Sequence, residues 1–172
     1  KTLFASLLFV QRIKVQYPDI PVILGGPACN RANARFLCAE ELADMVVVGE
    51  GEETLASLLI QIRDNKIGPT PGAFVRLGNR IVDGGTRALL DINALPLPDF
   101  SNLRHLKGID TALPIAFNRG CNFACEFCNE RKFWLKYRQM DAERAVDQLA
   151  SLHECHGVSR FFLSQSLMNG DL

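Results

Sequence analysis

Three cysteines within eight residues, Cys121, Cys125 and Cys128, constrain this chain more than any other feature of its sequence. They fall in Pro114-Ile-Ala-Phe-Asn-Arg-Gly-Cys-Asn-Phe-Ala-Cys-Glu-Phe-Cys-Asn129, directly after a short apolar run that reads as a strand. Spacings of four and three let the thiolates of one loop converge on a single metal centre while leaving it one ligand short. An incomplete ligand set is what a catalytic centre requires, because the open position is where chemistry takes place. The fold must therefore present an irregular, ligand-bearing loop at the end of a rigid element.

The 172 residues suit one ordinary domain or parts of two. A hydrophobic share of 48% beside 22% charged residues belongs to a globular chain. Nineteen basic residues balance nineteen acidic ones, so no global field draws the chain to nucleic acid or an anionic membrane. No apolar run approaches the ~20 residues of a bilayer-spanning helix, and no charged-then-apolar run with a small-residue cleavage site points to export, so none is expected. Six cysteines, three of them crowded into one loop, fit a metal in a reducing compartment better than a disulfide scaffold, and the expected location is the cytoplasm. Lys1 stands inside a stretch of helical spacing and Leu172 just after a strand-like run, so an internal fragment of a longer protein is expected.

Helical spacing runs from Leu3 to Tyr17, and Pro18 and Pro21 stop it. Pro21-Val22-Ile23-Leu24 is a short, wholly apolar strand of the kind buried in a parallel sheet, ended by Gly25-Gly26-Pro27. A helix over 32–42, a second buried strand over 45–48 and a third helix over 54–63 follow, the last opened by Gly49-Glu50-Gly51-Glu52-Glu53. Helix and strand alternating through short connections predict a doubly wound α/β fold of Rossmann or flavodoxin type that lacks its first units. Both glycine turns would then lie at the carboxyl ends of their strands, where such sheets bind ligands. A hairpin turning at Gly78-Asn79 is expected near 73–83.

Leu95-Pro96-Leu97-Pro98-Asp99 is a stiff connector. Dense turn signals place a linker over 99–113, separating a first domain over 1–98 from a second over 114–172. Beyond the cysteine loop, Asp141 is the expected N-cap and Gly157 the expected C-cap of a helix. Arg160-Phe161-Phe162-Leu163 is the next buried strand. Strand, loop, helix, strand is how a β/α barrel begins, with its active site at the carboxyl ends of the strands.

Thiolates are the usual ligands of iron–sulfur clusters, and three on a short loop can hold three irons of a four-iron cluster. The alternative is a structural zinc site with His153, Cys155 or His156 as fourth ligand. Zinc sites of that kind prefer two short-spaced pairs, so the spacing favours the cluster. Arg119-Gly120-Cys121-x3-Cys125-Glu126-Phe127-Cys128 resembles the C-x3-C-x2-C signature of the radical S-adenosylmethionine (SAM) superfamily, down to the aromatic before the last cysteine. The resemblance implies a 4Fe-4S cluster on Cys121, Cys125 and Cys128, whose open iron chelates SAM. It also implies reductive cleavage of SAM to a 5′-deoxyadenosyl radical. Phe127 would lie near the SAM adenine, Gly120 would permit the tight turn into the loop, and Gln165, after the second barrel strand, would face the SAM amino group. Gln lacks the charge of the Asp often found there. Glu130 and Arg131 could reach SAM or substrate, or could open a solvated helix.

Taken alone, the Gly25-Gly26 and Gly49-Gly51 turns are ordinary strand-to-helix turns. A G-x-G-x-x-G nucleotide reading of the second fails at Thr54, where the third glycine belongs. Val22-Ile-Leu-Gly-Gly-Pro27, Val47-Val-Gly-Glu-Gly-Glu52 and the Leu-Pro-x-Pro-Asp connector, in that order, resemble the cobalamin-binding domain upstream of one large radical SAM subfamily. Gly25, Gly26, Gly49 and Gly51 would then line the corrin face or its nucleotide tail. The D-x-H-x-x-G element that supplies a lower cobalt ligand in many cobalamin proteins is not in this sequence. His105-Leu106-Lys107-Gly108 imitates only its second half, with Leu103 in place of Asp.

Cys29, Cys38 and Cys155 are isolated and read as small, buried or half-buried residues. Phe133, Trp134 and Tyr137 read as core. The expectation is thus a radical SAM enzyme fragment for methyl transfer or radical rearrangement, with 4Fe-4S cluster, SAM and cobalamin as cofactors and an electron donor as partner. The alternatives are a zinc-stabilised binding module and a radical SAM enzyme whose upstream domain has lost cobalamin. A barrel reduced to two strands leaves an open edge, so the fragment alone is expected to be inactive and poorly soluble.

Overall fold

The computed structural model describes residues 2–100 and 112–170. The chain divides into two compact units, Lys1–Leu89 and Leu90–Leu172.

In the first unit the elements are α1 (Thr2–Gln16), β1 (Ile23–Leu24), α2 (Arg31–Ala39), β2 (Met45–Val47), α3 (Glu52–Arg63), β3 (Ala73–Leu77) and β4 (Arg80–Asp83). The strands form one sheet in the order β1-β2-β3-β4. β1 and β2 run parallel, with Ile23 opposite Met45. β3 is antiparallel to β2, Val46 standing opposite Phe74, and β4 returns antiparallel to β3. The sheet is therefore mixed, and the expected hairpin joins it through β3 and leaves β4 at one edge. The stretch after α3 carries the chain back to the carboxyl end of β2, where the Val48 N–H donates to Gly72 O at 2.8 Å. β3 starts where β2 stops, so it runs the opposite way.

Alternation along the strands sorts the core onto two faces. Val46 and Phe74 pack with Ala34, Leu37 and Cys38 of α2. Met45, Val47, Ala73 and Val75 pack with Leu58 of α3. Helices thus cover both faces, the layering of a doubly wound unit. Asn30 caps α2 by accepting from the Ala32 and Asn33 N–H groups, and Asn33 reaches back to the Asn30 N–H at 2.9 Å. Asp44 ties the base of the unit together, accepting from the Val22 N–H at 2.7 Å and pairing with Lys14 at 2.6 Å and Arg76 at 2.5 Å.

The second unit holds β5 (Leu113–Ile115), β6 (Asn118–Arg119), α4 (Glu130–Trp134), β7 (Arg138–Gln139), α5 (Ala142–His156) and β8 (Phe161–Leu163). β5 and β8 are parallel neighbours, with Leu113 opposite Phe161, and α5 is their crossover. This is the expected succession of strand, cysteine loop, helix and strand. Asp141 has extended backbone before α5, and Gly157 ends the helix at φ 68° with its N–H on His153 O at 2.7 Å. β6 and β7 form a two-residue antiparallel ladder across the base of the cysteine loop.

The division between units falls earlier than turn density suggests. Leu90 and Ile92 are buried, Asn93 Oδ1 accepts the Asp141 N–H at 2.9 Å, and the Arg138 guanidinium donates to Leu90 O at 2.7 Å. These bonds fasten the residues just before the connector to β7 and the start of α5. Most of the expected 99–113 linker, with His105-Leu106-Lys107-Gly108, lies outside the described residues. Among the described residues no helix is long and apolar enough to cross a membrane.

Candidate cofactor site

The cysteine loop leaves β6 through Gly120, whose φ is 84°. A β-carbon there would stand 2.6 Å from Lys136 O, so both the backbone conformation and the close approach require glycine. From Gly120 to Asn129 the chain forms neither helix nor strand. Cys125 is exposed, Cys121 and Cys128 are half-buried, and all three thiols are free. Local bonds shape the loop: the Phe123 N–H lies 3.4 Å from Cys121 Sγ, and the Cys128 N–H donates to Cys125 O at 3.1 Å. Just before the loop, Arg119 lies over the Trp134 ring, 5.0 Å from the centroid.

The loop brings the three cysteines together along the chain but does not draw their sulfurs onto one point. Among the described residues no three His, Cys, Asp or Glu side chains are gathered closely enough to hold a metal. The donor chemistry nevertheless suits an iron–sulfur cluster: three unbridged thiols on one solvent-open loop, with no regular hydrogen-bond ladder within it to resist their convergence. His153, Cys155 and His156 do not supply a fourth ligand here. They lie in the last turn of α5, a 15-residue helix about 20 Å long that starts beside the base of the loop, where the Met140 N–H donates to Phe117 O at 2.7 Å. His153 Nδ1 is instead 3.0 Å from Val158 O.

Phe127 is 92% exposed, an uncovered ring on the loop itself. Gln165 is half-buried, and its Oε1 accepts the Phe117 N–H at 3.3 Å. It lines a cavity of about 190 Å³ together with Phe117, Asn118, Met140, Leu163 and Met168. Asn118 is 6% exposed; its amide donates to Leu167 O at 2.5 Å, while its Oδ1 is buried without a hydrogen-bond partner. Sequence reasoning passed over Asn118, although its place just before the Arg-Gly-Cys run could have marked it.

In the first unit the Gly25-Gly26 turn follows β1 and the Gly49–Gly51 turn follows β2. These strands are parallel neighbours, so both turns share the carboxyl edge of the sheet. β-Carbons at Gly25 and Gly51 would each meet Val47 at 3.6 Å, an ordinary contact. Gly26 and Gly49 have φ of 92° and 83°, and nothing lies within 4 Å of a β-carbon at either. The edge is therefore open and lined by backbone, and its positive-φ glycines serve the turns whether or not a ligand rests there.

The cysteines of the first unit differ from those of the loop. Cys29 and Cys38 are buried in the core. Burial pushes the Cys29 thiol up. Burial also raises Cys38 to about 11, with Asp44 adding to the rise and Arg76 opposing it.

No model of a known protein family matches the chain. It is 27% identical over 158 residues to the anaerobic magnesium-protoporphyrin IX monomethyl ester cyclase of a Synechocystis species, covering 88% of this chain and 32% of that protein. Its fold is similar to that of OxsB, a cobalamin-dependent SAM radical enzyme solved with aqua-cobalamin and SAM, at a TM-score of 0.69 and 18% identity, over 100% of this chain and 25% of the other. The radical SAM methyltransferase TsrM from Kitasatospora setae, solved with cobalamin and a [4Fe-4S] cluster, matches at a TM-score of 0.65 and 19% identity, over 93% and 33%. The chain thus spans about a quarter to a third of the length of these proteins.

Proposed function

From the kinship of this chain with cobalamin-dependent radical SAM enzymes, we infer that it carries the cluster-binding loop and part of the corrinoid domain of such an enzyme. The carrying observation is the loop: three free, solvent-reaching thiols on irregular backbone, at the start of a parallel strand–helix–strand unit. Cys121, Cys125 and Cys128 would ligate three irons of a 4Fe-4S cluster and leave the fourth to SAM. Bound there, the cluster would supply the electron that cleaves SAM, and a corrinoid on the first unit would supply a methyl carrier.

The chain's own residues do the holding and orienting. Gly120 sets the direction of the loop. The exposed Phe127 ring is free to cover an adenine. Gln165 Oε1 accepts the Phe117 N–H and keeps a second lone pair for the SAM amino group, while its amide can donate to another SAM oxygen. The open glycine edge at Gly25, Gly26, Gly49 and Gly51 would let a corrinoid approach backbone closely. The reaction class is methyl transfer to an unactivated carbon or a radical ring closure, and the cluster requires an electron donor as partner. A scaffold role without corrinoid remains the second reading, since plain turns explain the positive φ values at Gly26 and Gly49.

Anaerobic reconstitution of the intact polypeptide with iron and sulfide tests this. The expected result is a brown protein absorbing near ~400 nm with about four irons per chain, lost in Cys125→Ala. A colourless protein holding stoichiometric zinc would overturn it. Titration with methylcobalamin separates the corrinoid domain from a scaffold: saturable binding, weakened by bulky residues at Gly26 or Gly49, supports the first, and no binding leaves the second.

A further inference from the structure

Tyr137 is 8% exposed and immediately precedes β7, which closes the base of the cysteine loop. Its hydroxyl donates to Gln139 Oε1 at 2.6 Å and accepts the Gly170 N–H at 3.2 Å. Gly170 lies flat against the ring: a β-carbon there would stand 2.3 to 2.6 Å from Cζ, Cε1 and Cε2. The φ of Gly170 is not in the left-handed region, so the close approach, not backbone freedom, is what excludes a larger residue. The carbonyl of Gly170 in turn accepts the Asn122 amide at 2.5 Å. Asn122 is the neighbour of Cys121. Three residues earlier, Leu167 O accepts the Asn118 amide at 2.5 Å, which fixes the same stretch to β6.

We propose that Gly170, seated on Tyr137, is a latch that holds the first turn of the cysteine loop through Asn122. Tyr137, Gly170 and Asn122 are then positioning residues for the cluster ligands. The Lys136–Tyr137 segment meets both neighbours of Cys121, through its backbone on one side and the Tyr137 side chain on the other. Gly120 runs against Lys136 O and Tyr137 N on one side, and Asn122 is tied to the Tyr137-bound glycine on the other. The stretch Leu167–Gly170, which follows β8, thereby couples the second strand of the unit to the position of Cys121. The inference rests on the cluster reading above.

The test uses the intact polypeptide reconstituted anaerobically with iron and sulfide, and measures the rate of iron loss to a chelator and the electron paramagnetic resonance spectrum of the reduced protein. Asn122→Ala, on an exposed side chain, and Tyr137→Phe, which keeps the ring and removes the hydroxyl, should each speed iron loss by about two- to tenfold, as a lost hydrogen bond allows. The spectrum should broaden while the thermal unfolding midpoint of Asn122→Ala stays at the wild-type value. The double variant should lose iron no faster than the worse single, because both act through one latch. Wild-type rates and spectra in both variants, or effects that multiply in the double, overturn the latch while leaving the cluster in place. A wild-type protein that takes up no iron overturns the cluster reading and the latch with it.

Discussion

The two units show large apolar side chains on their surfaces alike, but they differ in how deeply their strands are buried. In the first, Met45, Val46, Val75 and Leu58 are at most 1% exposed, and each sheet face is covered by a helix. In the second, β8 leaves Phe162 62% and Leu163 37% exposed, and the chemistry-bearing loop displays Phe123 and Phe127 to solvent. The first unit is built to hold its shape. The second presents its ligand loop from β6, beside a smaller core of Leu113, Ile115, Tyr137 and Leu152. The same contrast divides the cysteines, which are inert and buried in one unit and open in the other.

Thiol labelling gives the widest separation. In the folded chain Cys125 should react with iodoacetamide at the rate of an ordinary exposed thiol, and Cys38 should be slower by well over 100-fold. Its rise from 9.0 to about 11 alone removes about 100-fold of the thiolate, and burial adds to this. Comparable rates, read by peptide mass spectrometry, would break the contrast between units.

Core truncation comes next. Leu58→Ala removes a fully buried side chain lodged between Met45, Val47, Ala73 and Val75 and should cost about 2–5 kcal/mol of stability. Phe162→Ala, on the exposed strand, should stay within about 0.5 kcal/mol. Thermal or urea unfolding of the chain reads both, and similar losses at the two positions would show that the second unit has a core at Phe162 that the structure does not display.

A smaller effect sharpens the picture of the first unit. Burial pushes the Asp44 carboxyl up, but hydrogen bonds from Lys14, Val22 and Arg76 more than reverse this and hold it below its ordinary 3.8. A depressed carboxylate contributes stability that is present above 3.8 and is lost as pH falls through the lower folded value. Asp44→Asn should therefore cost about 1–3 kcal/mol at neutral pH, and the gap to wild type should close as pH drops below 3.8. A gap independent of pH would assign the cost to packing.

Much of this was legible in the residues because the signals were local. Gly157 ends α5 in the left-handed conformation that glycine favours, Asp141 precedes the helix without a side-chain capping bond, and Gly78-Asn79 turns the hairpin. Short apolar runs mark β1, β2 and β8, although β8, expected to be buried, leaves Phe162 and Leu163 exposed. What sequence could not supply were relations set by the path of the chain. The antiparallel docking of β3 on β2 depends on where the stretch after α3 returns. The two-residue β6–β7 ladder has no periodicity to read. Gly170 stands in an Asn169-Gly170 pair that reads as an ordinary turn, whereas the ring it must approach is reached only through folding. At the site, residue type and spacing single out Cys121, Cys125 and Cys128, whereas the convergence of three sulfurs depends on tertiary structure and on the bound group.

The most direct test of the central claim is electron–nuclear double resonance on the reduced, reconstituted intact protein, with SAM labelled by nitrogen-15 at its amino group and oxygen-17 at its carboxylate. If Cys121, Cys125 and Cys128 leave one iron open to SAM, both labels should show hyperfine coupling to the cluster, and Cys128→Ala should abolish it. A cluster on these cysteines that shows no coupling to either label would contradict the account.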